Sequence, residues 1–293
     1  MARKRDRIRL IILFLLPAGL FYGVFVLWPS LRAMAAGTTY WDGFSAEQRW
    51  VGLANFGRLL HDHTFWLSIR NNAILLFFPP LFCLVISLFF ASLIARGIRG
   101  ARLFRITFFF PNIMSAVLIA LLWSFIYNPS FGLLNGLLKA AHLQALERTW
   151  LGPDMLIKSV VAPMVYTGVG FYLILFIAGI QNIPQSLYDA AEVDGASGWQ
   201  AFWRITLPLL WPMLTVAVVF SIIGGLKAFD VVWVMTLGNP TDQTQTMATY
   251  MYQKAFMQGE MGYGTAVSVV LFLLVFATSL ASLRLMRRET IEY

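Results

Sequence analysis

Six stretches of this chain, near residues 10–30, 72–95, 106–127, 157–180, 209–235 and 263–283, are each predominantly apolar over about 20 residues. At about 1.5 Å of rise per residue, a helix of that length matches a hydrocarbon core about 30 Å thick. Lipid offers no partner to an unpaired backbone group, so each stretch must satisfy its own amides and carbonyls as a helix, and the short alternating segments of a membrane barrel are missing. Composition agrees: 59% hydrophobic residues, 12% charged residues, 25 Phe and 10 Trp in 293 positions do not divide into the core and surface of a soluble domain. The chain is expected to be an all-α integral membrane protein with six transmembrane helices.

The placement of Lys and Arg near the span ends sets the orientation. With the amino terminus inside, segments 2–9, 96–105, 181–208 and 284–293 hold thirteen basic residues in 56 positions, including Arg3, Lys4, Arg5, Arg96, Arg99, Arg102, Arg105, Arg284, Arg287 and Arg288. The opposite segments, 31–70, 128–158 and 238–260, hold eight in 94. Both termini are therefore expected in the cytoplasm. The net charge of +8 follows from this asymmetry and from attraction to anionic lipid, and no nucleic acid is needed to explain it. The chain divides into a cytoplasmic tail and first helix (1–30), an external segment (31–70), a core of five helices (71–285) that includes a cytoplasmic loop (181–208), and a tail (286–293).

Ala33-Met34-Ala35 imitates a signal-peptidase site, but an apolar run of about 20 residues exceeds the roughly 7–15 of a signal sequence, so the first helix is expected to stay. The one cysteine, Cys83, lies mid-span and reads as a small apolar residue. Segment 31–70 is rich in aromatic residues (Trp41, Phe44, Trp50, Phe56, Phe65, Trp66) and predicts helix lying at headgroup depth. His61-Asp62-His63 has metal-ligand residue types. Residues two apart on a helix diverge, however, and no further His or Cys is near, so the reading is a solvated loop without metal.

Between the fourth and fifth apolar stretches lies a polar insert. Ser186 stands three residues before Asp189, and Ser197 three before Gln200, both at the spacing with which a capping box starts a helix. Two short helices are predicted, with Gly195 as the turn between them and Ala190-Ala191 as a small surface that a neighbour can approach closely. Pro208 then opens the next span, where its missing amide hydrogen costs little.

The layout Asp189-Ala190-Ala191, Asp194-Gly195, Ile205, Leu207-Pro208 resembles the EAA loop of permease subunits in binding-protein-dependent ATP-driven importers, the element that docks on a separate ATPase. Asp189 stands where that family usually has Glu, one methylene shorter with the charge kept. The resemblance covers roughly residues 70–285. It includes Phe109-Phe110-Pro111-Asn112, Trp123 with Asn128-Pro129, Phe131-Gly132-Leu133-Leu134-Asn135, Gln181-Asn182-Ile183-Pro184, Lys227-Ala228-Phe229-Asp230 and Gly262-Tyr263-Gly264. These are similar to the maltose-transporter large-subunit type of sugar permease, although Gly238-Asn239-Pro240 replaces the usual Gly-Gly-Pro.

The resemblance implies the type I permease fold of ABC importers and translocation of a carbohydrate by alternating access. It also implies a second homologous permease subunit as heterodimer partner, two ATP-binding cassette subunits and an external solute-binding protein. A phosphate-binding loop of the form G-x-x-x-x-G-K-[ST] is impossible here, since no Gly-Lys dipeptide occurs. ATP and magnesium are accordingly expected in the partner subunits, and no cofactor on this chain.

Transporters bind solute near the midplane, where broken helices face a cavity. The fourth span, with Tyr166-Thr167-Gly168-Val169-Gly170-Phe171-Tyr172, and the fifth, with Ser221, Gly224-Gly225, Lys227 and Asp230, are read as interrupted. Counting from the EAA-like loop, the maltose permease has its ligand contacts at the positions of Met164, Thr167, Gly168 and Phe171, and of Ser221, Gly224, Gly225 and Ala228. Thr and Ser hydroxyls can bond sugar hydroxyls, and Phe171 can stack on a pyranose. The face carrying Thr167 and Phe171 is expected to meet Ser221 and Gly225. The same glycines equally serve close helix packing. Lys227 and Asp230, three apart, can pair on one helix face.

Two other classes are open to the sequence. A secondary transporter needs coupling-ion ligands, and apart from Lys158 at the very end of the fourth stretch only Lys227 and Asp230 are candidate charges inside a span. An intramembrane protease is suggested by Gly195-Ala196-Ser197-Gly198, but its base would be a later His, and the last His is His142, upstream.

Overall fold

The structure is a computed structural model that describes residues 2–95 and 97–287. Arg96 and Arg288, both part of the orientation count, and the rest of segment 288–293 lie outside the described residues, as do the side chains of Arg3, Lys4 and Arg5. The chain forms two compact units, one of residues up to Asp62 with Tyr250–Val270, the other of His63–Thr249 with the remainder from Leu271.

In the first unit, helix Ala2–Tyr22 continues through a π-helical turn, Gly23–Leu27, into helix Trp28–Ala36. Pro29 lacks an amide and would crowd the carbonyl four residues back; the wider turn directly before it makes room. No residue of the apolar part, Leu13–Ala36, is buried within the chain, as suits a lipid-facing span. The aromatic segment 31–70 is helical at both ends and over Ala54–Leu60, as expected, but Trp41, Phe44 and Trp50 lie outside helix. Strand Thr39–Tyr40 pairs antiparallel with Arg49–Trp50, and between the first and second spans only Ala54–Leu60 forms a helix of its own. Glycines at positive φ, Gly43 (+90°) and Gly52 (+60°), turn the chain where a helix would have to continue.

Asn55 closes this region by donating to the carbonyls of Gly37 and Thr39, both at 2.9 Å. Asp62 is also not the solvated loop residue expected: its carboxylate accepts from the hydroxyls of Tyr250 and Tyr263, both buried. Burial, with the Asp62 carboxylate behind it, holds the Tyr250 hydroxyl protonated well above the ordinary phenol range. Arg58 pairs with Glu260 at 2.5 Å and lies 4.2 Å above the Tyr263 ring, and Lys254 reaches the same Glu260 at 3.7 Å.

The second unit is built on the second span, His63–Ala95, whose 33 residues exceed the membrane requirement. It packs against the fourth span, Leu156–Gln181, and the fifth, Trp211–Met235. Ala91, Ile94, Leu173, Phe176 and Ala217 fill one core, and Leu75, Ala120, Val160 and Val232 another. The third apolar stretch is not one straight helix: Ala101–Ile113 and Ala116–Ile126 meet at a bend of 100°. Pro111 supplies no amide to the last turn of the first piece, and Ser115 caps the second by accepting from the Leu118 amide at 3.2 Å. Counted as one span, this pair brings the total to six, with Met261–Leu285 as the sixth.

Candidate coupling hairpin and translocation path

The insert between the fourth and fifth spans folds as a hairpin of two helices whose turn is fixed at both ends. Helix Gln185–Val193 closes at Gly195, φ +73°, with the Ala196 amide donating to the Ala191 carbonyl (2.8 Å) and the Gly195 amide to that of Glu192 (3.0 Å). This pairing satisfies orphan carbonyls and requires a left-handed residue, which glycine adopts without strain. Two residues on, Ser197 accepts from the Gln200 amide while the Gln200 side chain accepts from the Ser197 amide at 2.7 Å, the reciprocal box read from the sequence. Ser197 is thus a cap. Ser186 is not: the cap position falls on Pro184, and Ser186 sits inside the first turn, where Gln185 donates to Asp189 at 3.0 Å. The second helix, Gly198–Ala201, runs through a π-helical turn, Phe202–Thr206, to Leu207–Leu209 and the fifth span. Tyr188 and Thr206 join their hydroxyls at 2.9 Å and tie the two arms together.

Asp189, Ala190, Asp194 and Gly195 are exposed, Ala191 half-buried, and Ile205, Leu207 and Pro208 half-buried at the root of the second arm. The sequence reading missed the apolar side chains that the hairpin leaves in the open, Val193 at 88%, Trp199 at 69% and Trp203 at 50% exposure. Large apolar groups in a polar loop were the available signal, because single exposed ones are ordinary but three on one hairpin form a patch.

The fourth span is continuous through Tyr166–Tyr172, contrary to the interruption expected there. Its glycines serve packing instead. A Cβ on Gly168 would stand 2.7 Å from the Cys83 sulfur, and one on Gly170 2.2 Å from the Phe108 carbonyl oxygen. The fifth span is broken as expected: helix Trp211–Leu226 stops, and Asp230–Met235 starts after a three-residue gap. Lys227 and Asp230 therefore do not share one helix face. Lys227 caps the carbonyl end of one helix and Asp230 opens the amide end of the next, each exposed and each matched to the dipole beside it.

Broken backbone within a membrane protein must find partners. Asn72, 1% exposed, donates to the Leu226 carbonyl and accepts from the Met247 amide, both at 2.7 Å. Asn71 donates to the carbonyls of Gln243 and Gln245 at 2.8 Å, and Thr246 to that of Ala228 at 2.9 Å. The sequence reading passed over this Asn pair, although two amides at the head of an apolar run were its signal.

Of the eight path candidates, Phe171 and Gly224 are open. Phe171 is 42% exposed, and a Cβ on Gly224 would meet nothing within 4 Å. Ser221 is buried and donates to the Val218 carbonyl of its own helix, while Gly225 lies against the second span, its missing Cβ 2.3 Å from the Leu75 carbonyl oxygen. Phe171 therefore does not meet the Ser221 and Gly225 face. Its ring lies edge-on to Phe220 at 6.2 Å, on the side of the fifth helix that also carries Gly224. Thr167 is half-buried with its hydroxyl turned to the Pro163 and Met164 carbonyls, both at 3.1 Å, and the Asn112 amide reaches the Thr167 carbonyl at 3.4 Å. Met164, Gly168 and Ala228 are likewise half-buried.

Six spans, with a capped hairpin between the fourth and fifth and a backbone break within the fifth, define a multi-pass helical membrane protein. The inner membrane component family of binding-protein-dependent transport systems matches residues 83–289. A probable ABC transporter permease of Pyrococcus horikoshii is 35% identical over 95% of this chain and 96% of its own length. The diacetylchitobiose uptake permease of Streptomyces coelicolor is 37% identical over 93% of this chain and 81% of its own. A bacterial ABC transporter that imports alginate contains a chain of the same fold, with a TM-score of 0.82 at 23% identity over 99% of both chains. The chain belongs to this family and is a multi-pass permease subunit of an ABC importer.

Proposed function

We propose that this subunit carries a di- or oligosaccharide, or a related polyol or glycerol phosphate, across the cytoplasmic membrane by alternating access, with both termini inside. The observation that carries the proposal is the hairpin, whose turn is locked by Gly195 and Ser197 while Ala190, Val193 and Trp199 stand exposed. Such a rigid, partly apolar projection suits docking on a partner. Two ATP-binding cassette subunits, with ATP and magnesium in them, supply the energy, and a second homologous permease completes the path. The core 71–285 rotates against that second permease when the ATPases close. Relatives named for diacetylchitobiose and for trehalose and maltose support the carbohydrate class.

Within the path, Phe171 and Gly224 are the positions best placed to meet solute, with Phe220 joining them. Met164, Thr167, Gly168, Ser221, Gly225 and Ala228 shape the wall behind. The test is reconstitution of the four-subunit complex in lipid nanodiscs, with a candidate solute-binding protein carrying maltose, trehalose or diacetylchitobiose. Stimulated ATP hydrolysis and uptake that stops without the ATPase subunits are expected. Uptake that persists without them and follows a proton or sodium gradient would establish a secondary transporter instead.

A further inference from the structure

The hairpin that follows the first span ends in a loop more rigid than a connector requires. Asp42 Oδ1 accepts from the amides of Phe44 (3.0 Å) and Ser45 (2.8 Å) and from the Ser45 hydroxyl (2.8 Å). Trp41 Nε1 donates to the Ser45 carbonyl at 2.8 Å, and the Ser45 hydroxyl also reaches the Glu47 carbonyl at 3.2 Å. At the base, Thr39 pairs with Trp50 and Tyr40 with Arg49, and the Gly262 amide donates to the Trp41 carbonyl at 3.1 Å. At the tip of this fixed loop Phe44 is 88% exposed. Ordering a loop before its partner arrives removes an entropic cost of binding. A ring that only dissolves in lipid gains nothing from such fixation.

Charge separates the tip from the strands. Tyr40 and Trp50, exposed on the strands, suit headgroup depth. Phe44 instead stands between Asp42 and Glu47, two carboxylates whose loss of water opposes entry of the tip into the bilayer. The amides of Ser45 and Phe44 hold the Asp42 carboxyl below its ordinary range, so its charge persists in mildly acid surroundings.

We infer that this hairpin is a docking knob for the external solute-binding protein, with Phe44 entering an apolar socket on that protein and Asp42 and Glu47 facing basic groups at the socket's rim. The inference rests on the importer reading above, in which the hairpin is external. Aromatic residues dominate the centres of protein interfaces, and rim charges act mainly on the rate of encounter.

The experiment uses the nanodisc complex and the solute-binding protein that stimulates it, with ATP hydrolysis measured against binding-protein concentration. Phe44→Ala is expected to raise the half-saturating concentration about tenfold while the rate at saturation is retained. Glu47→Lys is expected to slow association and to flatten its dependence on salt. Unchanged half-saturation in both Phe44→Ala and Phe44→Glu overturns the proposal. So does a Phe44→Ala defect confined to the yield of inserted complex, which assigns the ring to the bilayer. If no solute-binding protein stimulates the wild-type complex, the importer reading itself has failed, an outcome distinct from either.

Discussion

Gly224 and Gly225 are chain neighbours with opposite prospects. A methyl at Gly225 meets the Leu75 carbonyl oxygen at 2.3 Å, which is backbone and cannot swing aside, whereas one at Gly224 meets open space. Gly225→Ala is expected to destabilise the folded protein by about 1–3 kcal/mol through overpacking, and Gly224→Ala to leave its melting temperature in detergent unchanged. Asn72→Leu strands the Leu226 carbonyl and the Met247 amide; at about 1–3 kcal/mol for each buried polar group left without a partner, it should lower the temperature at which the purified protein leaves its monodisperse elution peak. Phe171→Ala removes the open ring beside Phe220 and is expected to lower sugar uptake with the melting temperature held. Little of this was legible beforehand. A glycine in an apolar helix looks the same whether it faces a path or a neighbour, and Asn72 finds its partners 154 and 175 residues further on, beyond any local pattern.

At the scale of elements, the hairpin between the fourth and fifth spans was legible because its determinants are local: Gly195, Ser197 and Gln200 act within a few residues of one another. Ser186 misled because the spacing of a capping box also occurs one turn inside a helix, and Pro184 had already taken the cap. The bend in the third span was hidden for a different reason. An unbroken apolar run reports that the segment avoids water and says nothing of its direction; Pro111 and Ser115 were the only local signs of the 100° turn. Gly195→Val forces a β-branched residue to φ +73°, at a cost of about 1–3 kcal/mol. The expected result is a chain that still inserts but whose ATP hydrolysis, assayed in the reconstituted complex, no longer rises with sugar-loaded binding protein. Ser197→Ala, worth about 1 kcal/mol of cap, should give a milder form of the same defect.

For the whole molecule, the count of apolar stretches foretold the spans, and the asymmetry of basic residues foretells their orientation. The single Cys83 is buried, so replacing it with Ala gives a background in which new cysteines report topology. In intact cells an impermeant maleimide is expected to label Phe44→Cys at once and Trp199→Cys only after the membrane is opened; the reverse pattern would invert the protein. Asn72 adds a matter of timing. Ribosomes add about 5–20 residues per second, so the 154 residues between Asn72 and its carbonyl partner take roughly 10–30 s to make. For most of that interval the second span, His63–Ala95, is already synthesised while the Asn72 amide awaits partners that do not yet exist. It is among the first core helices to enter the membrane, yet it is completed only when the last third of the chain arrives. A nascent chain halted before Leu226 therefore displays an unfinished helix, distinguishable from the mature one by an amide still held by water or by the insertion machinery.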